Sequence, residues 1–308
     1  MLSWGYLFNR GKYPGSMNKT FLTIARQGRN GWKRYLVGAL LAIGVPLIIM
    51  TTVMIISAYI SGISIKNTNL ILYGNPLRAV LFSGLGGVGL LLGLFLAVTR
   101  VHRRKFMTLF SVDTSIDWLR VIKGFILWLG LYGISFFVWY LIFPSRYSLT
   151  FNISEWLPFT LLVLIFAPIL SLVRILFLYA YLLQAVGLLI RHPLLLSIVW
   201  GLVLASLSID LKMPIYWILS FAYATFMTWI VIKDNRIELV IGINIAVSLI
   251  SLVFISYPDS LIKAPTVFKV ADVPDFLPVL VSFVFRAGFF YFICFGRRRN
   301  LCEATIDD

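Results

Sequence analysis

The sequence predicts an all-α protein, a polytopic transmembrane bundle of about eight helical spans. Three observations predict it. Of 308 residues, 60% are hydrophobic and only 13% are charged, with a mean hydropathy of +0.93. Apolar runs of about 20 residues recur, enough to cross ~30 Å of hydrocarbon. Basic residues fall in every second connecting segment. A span must satisfy its own backbone hydrogen bonds, which leaves helices, because the short alternating strands of a barrel are absent.

The expected spans are 35–60, 79–99, 124–143, 157–189, 194–209, 213–232, 237–256 and 276–296. Before them, residues 1–34 form a basic segment. The transmembrane domain covers 35–296, and 297–308 are a tail. The N-terminus is polar and basic through Arg34, unlike a cleavable signal peptide. Its first sixteen residues are either a tail or an extension upstream of Met17. The second span carries Gly84, Gly86, Gly87, Gly89 and Gly93, a stripe that lets helix backbones approach closely. The fourth is too long for one straight crossing, so a kink at Pro168 or a surface-lying part is expected. The fifth is short. The loop from Tyr257 to Phe276 is the longest between spans and holds Pro258, Pro265 and Pro274.

The formal charge of +15 has a membrane explanation. Nineteen of the 27 Lys and Arg residues lie in the N-terminal tail, the alternate loops and the C-terminal tail. This positive-inside pattern places both termini in the cytoplasm. Such basic surface meets anionic membrane lipid, and no nucleic-acid partner is expected. Cys294 and Cys302 match no zinc or redox spacing and read as ordinary reduced thiols.

Chemistry within a membrane needs acids, imidazoles or an activated nucleophile inside the spans. The twelve acidic residues all lie in loops, tails or span ends. His102 and His192 lie in basic loops, and His192 reads as a solvated loop residue. A metal site in the bilayer would have no ligands, so no metal and no cofactor are expected. A carboxylate proton relay fails on the same ground. Nucleophile-elbow, Walker-type and zincin motifs are missing.

The spans do hold two cations, Arg174 and Arg286. Arg174 is the lone charge between Trp156 and Ile190. A guanidinium stays protonated at neutral pH, and at mid-membrane it costs ~2.5–3.5 kcal/mol on insertion scales. Asn244 and Ser248 are four apart and share a helix face. Interhelical hydrogen bonding is the ordinary role of such residues, and a polar cavity shared with Arg174 is the alternative.

At these residues the chain resembles the CPBP family, the CAAX-protease and bacteriocin-processing membrane proteins. The family pattern is Glu-Glu-x-x-x-Arg, then Gly-Tyr-Leu-Leu-Gln, Phe-x-x-x-His and His-x-x-x-Asn. The resemblance runs through the segments 26–36, 102–105, 116–120, 147–151 and 156–158. It continues through Ala180-Tyr-Leu-Leu-Gln184, Arg191-His-Pro193 and 238–242, with a motif-equivalent core over about 156–256. The family members are glutamate-dependent intramembrane endopeptidases. Here Arg174 and Ile175 fall at the two glutamates and Tyr179 at the arginine. Leu204 falls at the phenylalanine, Ser208 and Asn244 at the histidines, and Ser248 at the asparagine.

Neither a general base nor an imidazole remains, and arginine cannot serve as that base. The resemblance therefore implies a family-like scaffold with proteolysis lost and no catalytic residues. It would bind a membrane partner, a peptide or a lipid. Arg174, Ser208, Asn244 and Ser248 are the expected anion or partner site. Alternatives for Arg174 are snorkelling to an interface and bonding to exposed carbonyls near Pro168. Two further readings stay open. One is an active endopeptidase using displaced acids, with Glu155 and Glu238 nearest. The other is a transporter, against which stand the missing inverted repeat and the absence of span acids.

Overall fold

A computed structural model of the chain describes residues 20–62, 74–112, 115–190, 192–207, 214–258, 260, 262–272 and 276–296. Among them, six helices are long and apolar enough to cross a membrane: Trp32–Ile60, Pro76–Val101, Trp118–Ile142, Ile153–Gly187, Tyr216–Asp234 and Phe276–Phe295. Pro193–Leu207 and Glu238–Phe254 are shorter apolar helices. The chain is thus an all-α, multi-pass membrane bundle. Its elements match the eight expected spans, two of them too short to cross by length alone.

Local chemistry sets the helix ends. Helix α1 (Trp32–Ser61) stops at Gly62, whose φ of 63° is a left-handed C-terminal cap. Helix α2 (Pro76–Leu96) starts with proline in its first turn, and the Asn75 side chain accepts from the Leu77 and Arg78 N–H groups at 2.9 and 3.3 Å. Asp117 caps helix α3 (Trp118–Ile142) and Asn152 caps helix α4 (Ile153–Ile175) in the same way.

The glycines of α2 are a packing device, as expected from their spacing. A Cβ on Gly89 would lie 2.8 Å from Pro46 Cα, and one on Gly93 2.7 Å from the Leu41 carbonyl, both in α1. Gly84 and Gly87 meet Phe166 and Leu170 of α4 instead. So α2 is pressed between α1 and α4, and the close fit explains the lack of side chains.

The long fourth span is one continuous helical run, Ile153–Gly187. Its helix runs through both Pro158 and Pro168. The change of geometry comes later, in a π-helical stretch Leu176–Leu182, before α5 (Leu183–Gly187). The whole run is 35 residues, about 52 Å at 1.5 Å per residue, well over the ~30 Å of hydrocarbon. The N-terminal segment and the loop after α2 cover the C-terminal end of this run: Gln184 Nε2 donates to the Phe21 and Thr108 carbonyls at 3.3 and 3.2 Å. The wider π turn also brings the consecutive residues Tyr179, Ala180 and Tyr181 inside.

Helices α6 (Pro193–Leu207) and α7 (Pro214–Asp234) pack as a pair, with Gly201 against Thr225. Helix α8 (Glu238–Leu249), extended by a π turn over Ile250–Phe254, is the centre of the bundle. Glu238 through Asn244 and Ala246 are buried, which fits a helix apolar on nearly every side. Gly242 on α8 meets the Val121 carbonyl of α3, and Gly124 on α3 meets the Leu239 carbonyl of α8. Helix α9 (Phe276–Phe295) closes the bundle against α3 and α7.

The two ends differ. One carries a three-stranded sheet absent from the expected elements, in the order β1 (Tyr147–Leu149), β3 (Phe268–Val270), β2 (Ile255–Ser256). Strand β3 is antiparallel to β1 and parallel to β2, with Tyr147 opposite Val270 and Ile255 opposite Phe268. The other end is basic. There Arg120 pairs with Asp234, and Arg236 with Glu238 at 3.4 Å.

A candidate anion site within the bundle

Of the motif-equivalent positions, Arg174 and Ile175 fall on α4 and Asn244 and Ser248 on α8, which pack against each other, while Tyr179 lies in the π-helical stretch and Leu204 on α6. Ser171 and Ile175 are four apart and both point inward, 3% and 0% exposed. The Ser171 and Ser248 hydroxyls meet at 3.2 Å across the interface. Asn244 is buried, and its amide donates to the Val240 carbonyl of its own helix at 3.3 Å. This interface is closed: its polar groups satisfy one another or their own backbone. Ser208 lies outside the described residues. Ser171 was not singled out by the sequence, although its fourfold spacing from Ile175 was readable.

Arg174 does not join this interface. One residue before Ile175, it is turned about 100° away on a 3.6-residue helix and is exposed on the bundle surface. Among the described residues it has no ion pair, and no hydrogen bond links it to Asn244 or Ser248. The shared cavity expected for these three residues is therefore replaced by another neighbourhood. Arg174 lies within electrostatic range of the Tyr179 and Tyr223 hydroxyls.

Tyr223 of α7 is the pivot. Its hydroxyl is buried and has no hydrogen-bond partner. It lies within range of Arg286 on α9 as well as Arg174. The Arg286 guanidinium stacks over the Tyr132 ring at 4.5 Å and the Trp128 ring at 5.8 Å, contacts that stabilise a partly desolvated cation. Its Nε is buried without a partner. The Tyr132 and Tyr257 hydroxyls meet at 3.1 Å. Both span arginines, which the sequence presented as separate puzzles, thus border one layer of tyrosines.

A cavity of about 90 Å³ at the sheet end reaches Tyr132, Tyr257 and Arg286, without Tyr223 or Arg174 in its wall. Its wall includes Tyr132, Ser135, Tyr257, Ser282, Arg146 and Arg286, and no carboxylate. At ~30 Å³ per water the space fits roughly three waters or one small anionic group. The arrangement offers cations, phenol donors and apolar walls. It offers no base for activating water. A larger polar cleft of about 620 Å³ lies elsewhere at the sheet end, lined by Asn75, Glu155, Lys263 and Lys269 among others.

The displaced acids are far apart in the fold. Glu155 is exposed at the sheet end, in the first turn of α4. Glu238 is buried at the basic end, where its Oε1 accepts from the Asp117 N–H at 3.3 Å and faces Arg236. His192 is exposed, as expected, and its Nδ1 accepts from the Leu195 N–H at 3.3 Å, capping α6. His102 is the correction among loop residues: it is 0% exposed. Among the described residues, no group of three His, Cys, Asp or Glu side chains gathers to hold a metal. Cys294 is a free, half-buried thiol, and Cys302 lies outside the described residues.

Over 186 residues the chain is 29% identical to the uncharacterized protein YyaK of Bacillus subtilis (strain 168), covering 58% of this chain. The matched region spans 62% of that relative's length. No family model matches the chain. No solved structure matches it either.

Proposed function

We propose that this chain is a non-catalytic membrane binding protein on a CPBP-like scaffold, with both termini and the basic end in the cytoplasm. The layer of Arg174, Tyr223 and Arg286 holds an anionic group presented by a membrane partner, a peptide or a lipid. One observation carries the reading: among the described residues the buried Tyr223 hydroxyl has no hydrogen-bond partner and lies within electrostatic range of Arg174 and Arg286, and Arg286 lines a cavity whose wall holds no carboxylate. Arg286 Nε is a buried donor without a partner, and Tyr223 O–H is another donor in want of an acceptor. An oxyanion would answer both. Asn244 and Ser248 then serve helix packing, consistent with their hydrogen bonds.

The active-endopeptidase reading needs a positioned base near a water and an oxyanion donor. Glu155 and Glu238 sit at opposite ends of the bundle, and Glu238 is already engaged. The experiment has two arms. Purified protein is incubated with a prenylated and with a signal-like peptide, and no cleavage is expected. Arg174→Leu and Arg286→Leu are then expressed, and recovery of membrane partners under mild detergent is compared with wild type. Cleavage that is lost in Glu238→Gln would reverse the proposal. Unchanged partner recovery in both leucine variants would remove the anion layer.

A further inference from the structure

The basic end holds a second unpartnered cation, independent of the layer above. Arg104 follows α2 and is 7% exposed, and all three of its guanidinium nitrogens are buried without a hydrogen-bond partner. Around it, Arg34 Nη1 and the Tyr35 hydroxyl are buried and unpartnered too. Both belong to the first turn of α1, a helix whose start at Gly31 has no side-chain cap. Helix N-termini carry unpaired N–H groups and a positive dipole end.

The scaffold holding these groups is built firmly. The Arg29 N–H donates to the His102 carbonyl at 3.0 Å, and His102 Nδ1 lies 3.0 Å from the Arg29 carbonyl. Nδ1 therefore carries the proton, and Nε2 accepts from the Tyr181 hydroxyl at 2.9 Å. That hydroxyl also lies 3.2 Å from the Tyr35 carbonyl, so two acceptors share its proton. Gly28 lets the N-terminal segment press onto this loop: a Cβ there would come within 2.5 Å of the His102 carbonyl. Burial, then the Arg104 and Arg34 charges, hold the His102 pKa down to about 4, so the ring is neutral at pH 7. Among the described residues of this end, Asp234 is paired with Arg120 and Glu238 with Arg236.

We propose that Arg104, Arg34 and Tyr35, at the open start of α1, form a binding site for a phosphate group. Its source is either the headgroup of an anionic phospholipid or free inorganic phosphate. A guanidinium fork matches phosphate oxygens in pairs, and a helix N-terminus adds donors of the right sign. The site sits where a candidate membrane-spanning helix begins, on the more basic end, and basic groups next to a bilayer attract anionic headgroups. His102 and Tyr181 are positioning residues. They hold the Arg104 loop against α1 without adding charge.

The test uses the full chain, purified in detergent and stripped of lipid. Thermal unfolding is followed with sodium phosphate, with phosphatidylglycerol and with sodium chloride at matched ionic strength. Ligand binding to the folded state raises Tm. A rise of several degrees over sodium chloride is expected with at least one phosphate probe. A response to phosphatidylglycerol alone assigns the lipid headgroup, and a response to sodium phosphate assigns the free ion. Arg104→Gln is expected to weaken the apparent affinity at least tenfold, while Lys33→Gln, an exposed neighbour, keeps it. If Arg104→Gln does not accumulate, Arg34→Gln is read in its place, with the same loss expected. No rise with either probe, or a full response in the arginine variant, overturns the site.

Discussion

The α4–α8 interface and the Tyr223 layer are neighbouring parts of one bundle, yet their polar groups are in opposite states. At the interface, Ser171 meets Ser248, and Asn244 bonds its own backbone. In the layer, Tyr223 O–H and Arg286 Nε are buried without partners, and Arg286 lines a cavity. The first region holds the polar residues that the sequence singles out, Asn244 and Ser248, and they serve packing. The second holds a tyrosine that the sequence does not single out, and it keeps the unspent hydrogen-bonding capacity. The lesson is to follow unpaired buried donors.

The largest expected effect breaks the closed side of this comparison. Ile175→Glu restores an acid at a family-like position, but the site is fully buried and offers no partner. It should destabilise the fold by about 3 kcal/mol or more and give no cleavage. Accumulation of a monodisperse species by size exclusion checks it. A folded, peptide-cleaving variant would show that the interface is still a catalytic site.

Next comes the latch at the basic end. Tyr181→Phe removes the hydroxyl shared by His102 and Tyr35, and should cost about 1–3 kcal/mol by leaving His102 Nε2 unpaired. The same latch predicts a pH dependence. His102 has its pKa lowered from 6.5 to about 4 in the folded state by burial, with the Arg104 and Arg34 charges acting in the same sense. The unfolded chain therefore binds a proton that the folded chain refuses. This contribution is complete above about pH 6.5 and is lost as pH falls towards about 4. Tm measured across that window should drop in wild type and drop less in His102→Gln. Equal slopes would mean that other groups set the acid limit.

The smallest effects sharpen the contrast most. Ser248→Ala should cost about 1 kcal/mol and leave partner recovery unchanged. Tyr223→Phe should be neutral in stability, or slightly stabilising, because it deletes an unpaired hydroxyl, yet weaken partner recovery. Thermal unfolding and mild-detergent pull-downs of the two variants, run side by side, separate the regions. If Ser248→Ala lowers recovery and Tyr223→Phe does not, the roles are reversed.

Much of this was legible in the sequence. Hydropathy runs located the helices, because a membrane span is defined by length and apolarity. Close packing by Gly84, Gly87, Gly89 and Gly93 was readable from their spacing. The position of the acids and imidazoles outside the deep spans was also plain. Other features were not. Strands of two or three residues carry no periodic signal, so the sheet was missed. The π turn at Leu176–Leu182 has no marker in the sequence, and it begins eight residues after Pro168. Tyr223 looks like any aromatic of a span, and only its position between Arg174 and Arg286 gives it meaning. Likewise Arg104, one of several basic residues in its loop, differs from Arg103 and Lys105 only in being buried.

The most direct test of the anion layer is native mass spectrometry of the protein released from mild detergent, wild type against the Arg174→Leu/Arg286→Leu double variant. The account predicts an adduct on the wild type, either an acidic lipid or an acid-bearing membrane partner, that is lost from a folded double variant. A wild type that flies bare, or an adduct that survives both substitutions, would contradict it.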